Sequence, residues 1–145
     1  MKMKTLLIVD DEPKILEKIV TILSSQFDNI ATAIDGRDAL EQLSQISNVG
    51  CVVSDINMPV MNGIDFVKEV RSMKLEVPFI FFTSHGDDNL IMEAVKYGVF
   101  DFVEKPHFGN LIGAVSSGMS LDYKSPGTKD TSSLASEYED LLGKL

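Results

Sequence analysis

Two groups of carboxylates close apolar runs. Asp10-Asp11-Glu12 follows Thr5–Val9, and Asp55 follows Val49–Val53 and Ser54. Carboxylates brought close together repel and raise one another's pKa values unless a cation sits among them. Hard oxygen donors that leave room for water and phosphate suit Mg²⁺. The Asp10-Asp11 pair alone reads equally well as a helix N-cap, where Asp is favoured. Asp55 on a neighbouring strand end turns the balance toward a metal. Two further strand ends add Thr83-Ser84 and Glu104-Lys105-Pro106. Alone, Thr83 is a turn or cap residue and Lys105 a solvated charge. Pro106 disfavours the αR region at Lys105 and so constrains the backbone that carries it. Taken together, an Asp pair, a further Asp, a hydroxyl and an ammonium form the set that phosphoryl transfer uses. That chemistry needs a nucleophilic carboxylate, a divalent cation and donors to the remaining phosphoryl oxygens.

These residues converge only if the chain folds so that the strand ends meet. Five short apolar runs, Thr5–Val9, Asn29–Ala33, Val49–Val53, Val77–Phe82 and Val99–Val103, read as strands buried on both faces. Helical spacing separates them. The apolar stripes are Ile15, Ile19, Ile22 and Leu23; Ala39, Leu40, Leu43 and Ile46; Ile64, Val67 and Val70; Leu90, Ile91, Ala94 and Val95; Leu111, Ile112, Val115 and Met119. Pro13 suits a first helical turn, and Gly98 suits a helix C-terminus. Asp35-Gly36 and Asn62-Gly63 mark turns or helix entries. Strict β–α alternation implies an α/β fold with a parallel sheet and helices on both faces. Five strands favour the flavodoxin-like order 2-1-3-4-5 over an eight-stranded barrel. Ligands in such sheets bind at the carboxyl ends of strands near the topological switch point, here between strands 1 and 3.

Composition narrows the function classes. The chain has 145 residues, enough for one domain, and 44% hydrophobic content. A net charge of −9 repels nucleic-acid phosphate, so direct DNA or RNA binding is not expected. The single cysteine, Cys51, lies in an apolar run and reads as a core residue. It allows no internal disulfide, which suits a reducing cytoplasm. The apolar run after Met1 is too short for a signal peptide or a membrane span. From residue 124 the text becomes polar and turn-rich to residue 133. Leu134, Tyr138, Leu141, Leu142 and Leu145 then share a helical face. The expected division is therefore a domain over 1–123, a linker over 124–133 and a short amphipathic helix over 134–145.

The motifs resemble the receiver domains of bacterial two-component response regulators, of the chemotaxis-regulator kind. The matching text is Leu6-Leu-Ile-Val-Asp-Asp-Glu-Pro13, Val53-Ser-Asp-Ile-Asn-Met-Pro59 with Asn62-Gly63, Phe82-Thr-Ser84 and Gly98-Val-Phe-Asp-Phe-Val-Glu-Lys-Pro106. The resemblance spans roughly residues 4–122. It implies that Asp55 is the phosphoacceptor and that Asp10, Asp11, Asp55 and the backbone carbonyl of Asn57 hold Mg²⁺. It further implies that Thr83 and Lys105 bind the phosphoryl group. Phe102 takes the place of a frequent switching tyrosine, and Asn57 and His85 occupy positions that tune dephosphorylation. His85 reads equally well as an exposed loop residue.

The implied partners are a histidine kinase or phosphotransfer protein and a downstream effector or missing output domain. A homodimer through helix 4, strand 5 and helix 5 is a further implication. A DNA-binding helix-turn-helix would need more residues and a basic face. The chain is thus expected to be either a stand-alone receiver or part of a longer regulator. Two other readings remain. A haloacid-dehalogenase-type phosphatase shares the Asp, Mg²⁺, hydroxyl and Lys, but favours an Asp where Asn57 stands. A phosphate-independent binding module would have no use for the five polar residues.

Overall fold

The computed structural model describes residues 4–84 and 88–123. His85, the polar linker and the C-terminal apolar stripe lie outside the described residues. The elements are β1 (Thr5–Val9), α1 (Pro13–Leu23), β2 (Ile30–Ala33), α2 (Gly36–Gln45), β3 (Val49–Ser54), α3 (Gly63–Ser72), β4 (Phe79–Thr83), α4 (Asp88–Val95), β5 (Asp101–Glu104) and α5 (Phe108–Met119). The strands pair in parallel in the order β2-β1-β3-β4-β5. The flavodoxin-like architecture expected from the alternation is therefore the one observed.

Each sheet face has its own core. Period-two alternation sends Leu7, Val9, Val52, Phe79 and Phe81 to one side, where they meet Ala39, Val67, Val70 and Ala94 of α2, α3 and α4. The same alternation sends Leu6, Ile8, Cys51, Val53, Ile80 and Phe82 to the other side, against Ile19 and Leu23 of α1 and Leu111 and Val115 of α5. Each fully buried Leu, Ile, Val or Phe stabilises the fold by about 1.5–3 kcal/mol before entropy is set against it. Phe66, Phe79 and Phe81 add ring contacts with centroids 5.1 and 6.1 Å apart. Cys51 is fully buried at the α5 face, and burial pushes its thiol up to about 12. That makes it a core residue rather than a nucleophile.

Two expectations are corrected by the packing. Burial on both faces holds for β3 and β4, but the edge strands β2 and β5 are only partly covered. An edge strand has a neighbour on one side only, so helices cannot enclose it. On α4, Leu90 and Ala94 turn inward while Val95 is 59% exposed. At roughly 100° per residue Val95 lies about 140° around the helix from Leu90, at the far edge of the stripe and turned out of the contact.

Local signals place the helix starts. Pro13 opens α1, where its missing N–H is no loss. Asp35 accepts from the Asp38 N–H at 2.8 Å to cap α2, and Asn62 accepts from the Asp65 N–H at 2.9 Å to cap α3. Gly98, at φ 67°, takes the left-handed conformation that ends the turn after α4. The parallel register sets Val9 beside Ser54 and Thr83 beside Glu104, so the loops that follow share one edge of the sheet.

Candidate functional site

The Asp55 N–H donates to the Val9 carbonyl at 3.0 Å, which continues the β1–β3 ladder one step and brings Asp55 beside Asp10. Carboxylate oxygens of Asp10, Asp11 and Asp55 all lie within 4.8 Å of one another. Asp10 and Asp55 are buried, whereas Asp11 is more open to solvent. Lys105 arrives from the end of β5, two strands away from β3. Its Nζ donates to Asp10 Oδ2 at 2.8 Å and to Asp55 Oδ2 at 3.1 Å. The Lys105 backbone N–H donates to the Thr83 carbonyl at 2.9 Å, so β4 and β5 carry the lysine to the site together.

The remaining carboxylate oxygens are also aimed. Asp10 Oδ1 accepts from the Glu12 N–H at 2.9 Å, and Asp55 Oδ1 accepts from the Ile56 N–H at 2.7 Å. The Ser54 hydroxyl donates to the Asp55 carbonyl at 2.8 Å. Thr83 is buried at the end of β4, and Asn57 is exposed two residues beyond Asp55. Phe102 is half-buried and stacks on Phe81 with ring centroids 5.9 Å apart.

The charges do not balance. Three carboxylates and one ammonium leave a formal charge of −2 in a partly buried cleft. Burial raises the Asp10 pKa above 3.8, against the pull of Lys105 and the Glu12 N–H; the Asp55 charge adds to the rise. Burial alone would lower the Lys105 pKa, but Asp10 and Asp55 together raise it above 10.5. Lys105 is therefore a firm cation with two carboxylates to hold. Oxygen donors carrying a residual charge of −2 fit a hard divalent cation such as Mg²⁺.

Sequence reasoning overlooked Gly63 as a site residue, although Asn62-Gly63 marked the helix entry. A Cβ at position 63 would lie 2.3 Å from the Asp55 carbonyl oxygen and 2.7 Å from the Phe81 ring. Only glycine lets α3 start this close to the acidic strand end. Gly63→Ala should lower stability by about 1–3 kcal/mol through overpacking, read as a lower urea midpoint with an unchanged slope. An unchanged midpoint would show that the α3 start can shift at no cost. Ser54 was visible only as a strand residue. Its contact with the Asp55 carbonyl depends on a side-chain rotation that no pattern reports.

The chain is thus a flavodoxin-like α/β domain with an acidic cleft at its topological switch point. It belongs to the response regulator receiver domain family, whose model matches residues 6–116. It is 36% identical over 104 residues to the response regulator SaeR of Staphylococcus aureus, a match taking in 72% of this chain and 45% of SaeR. The chain therefore spans about half the length of that relative. Its fold is similar to the chemotaxis response regulator CheY4 of Vibrio cholerae, at 28% identity and a TM-score of 0.72 over 81% of this chain and 99% of that one. It is also similar to a chain of the CheX-CheY-BeF₃-Mg²⁺ complex from Borrelia burgdorferi, at 26% identity and a TM-score of 0.73 over 81% and 90%. Receiver domains of two-component systems are signalling modules rather than classical enzymes, and this membership sets aside the phosphatase reading. Among the described residues no helix is long and apolar enough to cross a membrane.

Proposed function

We propose that this receiver accepts a phosphoryl group on Asp55 in a Mg²⁺-dependent reaction, from a histidine kinase or phosphotransfer protein. The observation that carries the reading is the bridging of Asp10 and Asp55 by Lys105 inside a cleft whose charge remains −2. Asp10, Asp11, Asp55 and the backbone carbonyl of Asn57 would hold the Mg²⁺. When bound, the ion would neutralise phosphoryl charge. An Asp55 carboxylate oxygen attacks the phosphorus, and the P–N bond of the donor phosphohistidine breaks as the P–O bond forms. The imidazole leaves with the bonding electron pair. Lys105 moves from pairing with Asp55 to pairing with a phosphoryl oxygen, and the Thr83 hydroxyl donates to another. By the resemblance, Asn57 and His85 would tune the later loss of the group.

The phosphoryl group would then switch the face built from α4, β5 and α5. Drawing Thr83 toward the site frees space beside Phe81, the ring on which Phe102 stacks. Turning Phe102 inward would alter the surface offered to an effector, to an output domain or to a second copy of the chain. Moving such a two-state face from 1:99 to 99:1 takes about 5.5 kcal/mol of differential binding. Incubation with acetyl phosphate and Mg²⁺ should form a hydroxylamine-labile acyl phosphate, and EDTA should prevent it. Amide NMR shifts should spread from Asp55 into residues 90–120. Labelling that persists in EDTA would remove the metal, and shifts confined to the neighbourhood of Asp55 would remove the switch.

A further inference from the structure

Val60 lies in the loop between Asp55 and α3, with φ at 69° and the Met61 N–H donating to the Pro59 carbonyl at 2.7 Å. A hydrogen bond across one left-handed residue is the rarer γ-turn, strained for L side chains and most of all for β-branched ones. Glycine or asparagine would adopt it with less strain. The valine side chain does not serve the core either, being 76% exposed. Folding therefore gives no reason for valine at this position.

The neighbouring bonds explain why the turn persists. The Gly63 N–H donates to the Ile56 carbonyl at 2.8 Å, and the Gly36 N–H donates to the Met61 carbonyl at 3.1 Å. The loop is thus closed on itself and tied to the β2–α2 connection. That connection carries Ile34, whose side chain is 59% exposed. Ile34, Pro59 and Val60 are exposed apolar residues on two loops that leave the same sheet edge as the acidic cleft, and the Gly36–Met61 bond ties those loops into one rim.

We infer that Val60, with Ile34, is a specificity-determining contact for a protein phosphodonor, on which the strained turn presents its methyl groups. The inference rests on the reading of Asp55 as phosphoacceptor. Asp55 is only 7% exposed at the floor of the cleft. A phosphohistidine can bring its phosphorus into bonding distance of that carboxylate only if the protein bearing it covers the rim. Apolar side chains on the rim then leave water as the donor docks. A small donor such as acetyl phosphate enters the cleft and leaves the rim exposed. The two donor classes should consequently depend on position 60 to different extents.

Asp55 labelling is to be timed with the full chain, using acetyl phosphate and each autophosphorylated histidine kinase of the encoding organism. Val60→Gly relieves the backbone strain and removes the methyl groups. Val60→Asn retains the left-handed preference with a polar side chain. With the kinase that labels the wild type fastest, both variants and Ile34→Ser should lose about tenfold in rate relative to acetyl phosphate, as fits the loss of one buried aliphatic contact. An unchanged ratio between donors would overturn the inference while leaving the phosphoacceptor reading intact. So would a wild type that accepts from acetyl phosphate and from no kinase. Failure of acetyl phosphate to label Asp55 in the wild type would instead overturn the phosphoacceptor reading, and this inference with it.

Discussion

Asp55→Asn should be folded and unable to take up a phosphoryl group. The amide has no anionic oxygen to attack phosphorus, so labelling by acetyl phosphate should drop to background. Inactivity alone would be ambiguous, because Asp55 is buried and paired. The surroundings argue that the variant keeps its fold. Asn retains a carbonyl oxygen for the Ile56 N–H, which Asp55 Oδ1 accepts at 2.7 Å. Lys105 keeps Asp10 as a partner at 2.8 Å, so no buried charge is orphaned. The formal charge of the cleft falls from −2 to −1, which eases repulsion in metal-free buffer. The thermal midpoint without Mg²⁺ should therefore match or exceed that of the wild type, with an unchanged far-UV spectrum. Labelling at the wild-type rate would show that Asp55 is not the acceptor.

The fold was legible because its signals are local and repeated. Buried parallel strands need unbroken runs such as Val49–Val53, and amphipathic helices need stripes such as Ile64, Val67 and Val70. Alternation and crossover handedness implied the parallel sheet with helices on both faces, and five strands favoured the flavodoxin-like order over a barrel. The candidate site was legible for the same reason. Asp10, Asp11, Asp55, Thr83 and Lys105 each end or follow a strand, and a parallel sheet brings the ends of its strands to one edge. Once the strand order is known, neighbouring ends are neighbouring side chains.

The unread parts depend on dihedral angles and on single contacts. Nothing in the residue type of Val60 announces a left-handed backbone; closure of its loop imposes it. The need for glycine at position 63 arises from the Asp55 carbonyl, eight residues earlier across a loop. Nothing in the apolar stripe of α3 singles out Arg71. Its guanidinium in fact donates to the carbonyls of Tyr97 at 2.7 Å and Leu75 at 2.8 Å, tying α3 to the turn after α4. Half-buried arginines of this sort bind backbone that no periodicity can locate. His85 and the apolar stripe of residues 134–145 lie outside the described residues, and their roles stay as expectations.

Asp11→Ala should weaken Mg²⁺ binding more than Asp10→Ala, by about a hundredfold against about tenfold. The carboxylate of Asp10 is already engaged on both oxygens, by the Glu12 N–H and by Lys105. Asp11 is the more open of the two and better placed to meet an ion arriving from solvent. Acidity adds a second readout. Burial raises the folded pKa of Asp10 above 3.8, so the native state holds that proton more tightly than the unfolded chain does. By linkage, this group favours the metal-free fold at low pH, and its contribution is lost as pH rises from 3.8 through the raised value. Lys105 has the same sense in another window: its folded pKa is also raised, so its contribution is present below 10.5 and is lost only as pH rises above that value. Across the acid range Asp10 therefore dominates, and the gain in thermal midpoint on adding Mg²⁺ should grow as pH rises. Asp10→Asn should flatten that growth, because the amide has no proton to release. Mg²⁺ titrations of each alanine variant, repeated at several pH values, test both parts. Equal affinities would remove the distinction between the two aspartates, and a midpoint gain independent of pH would remove the proton from Asp10.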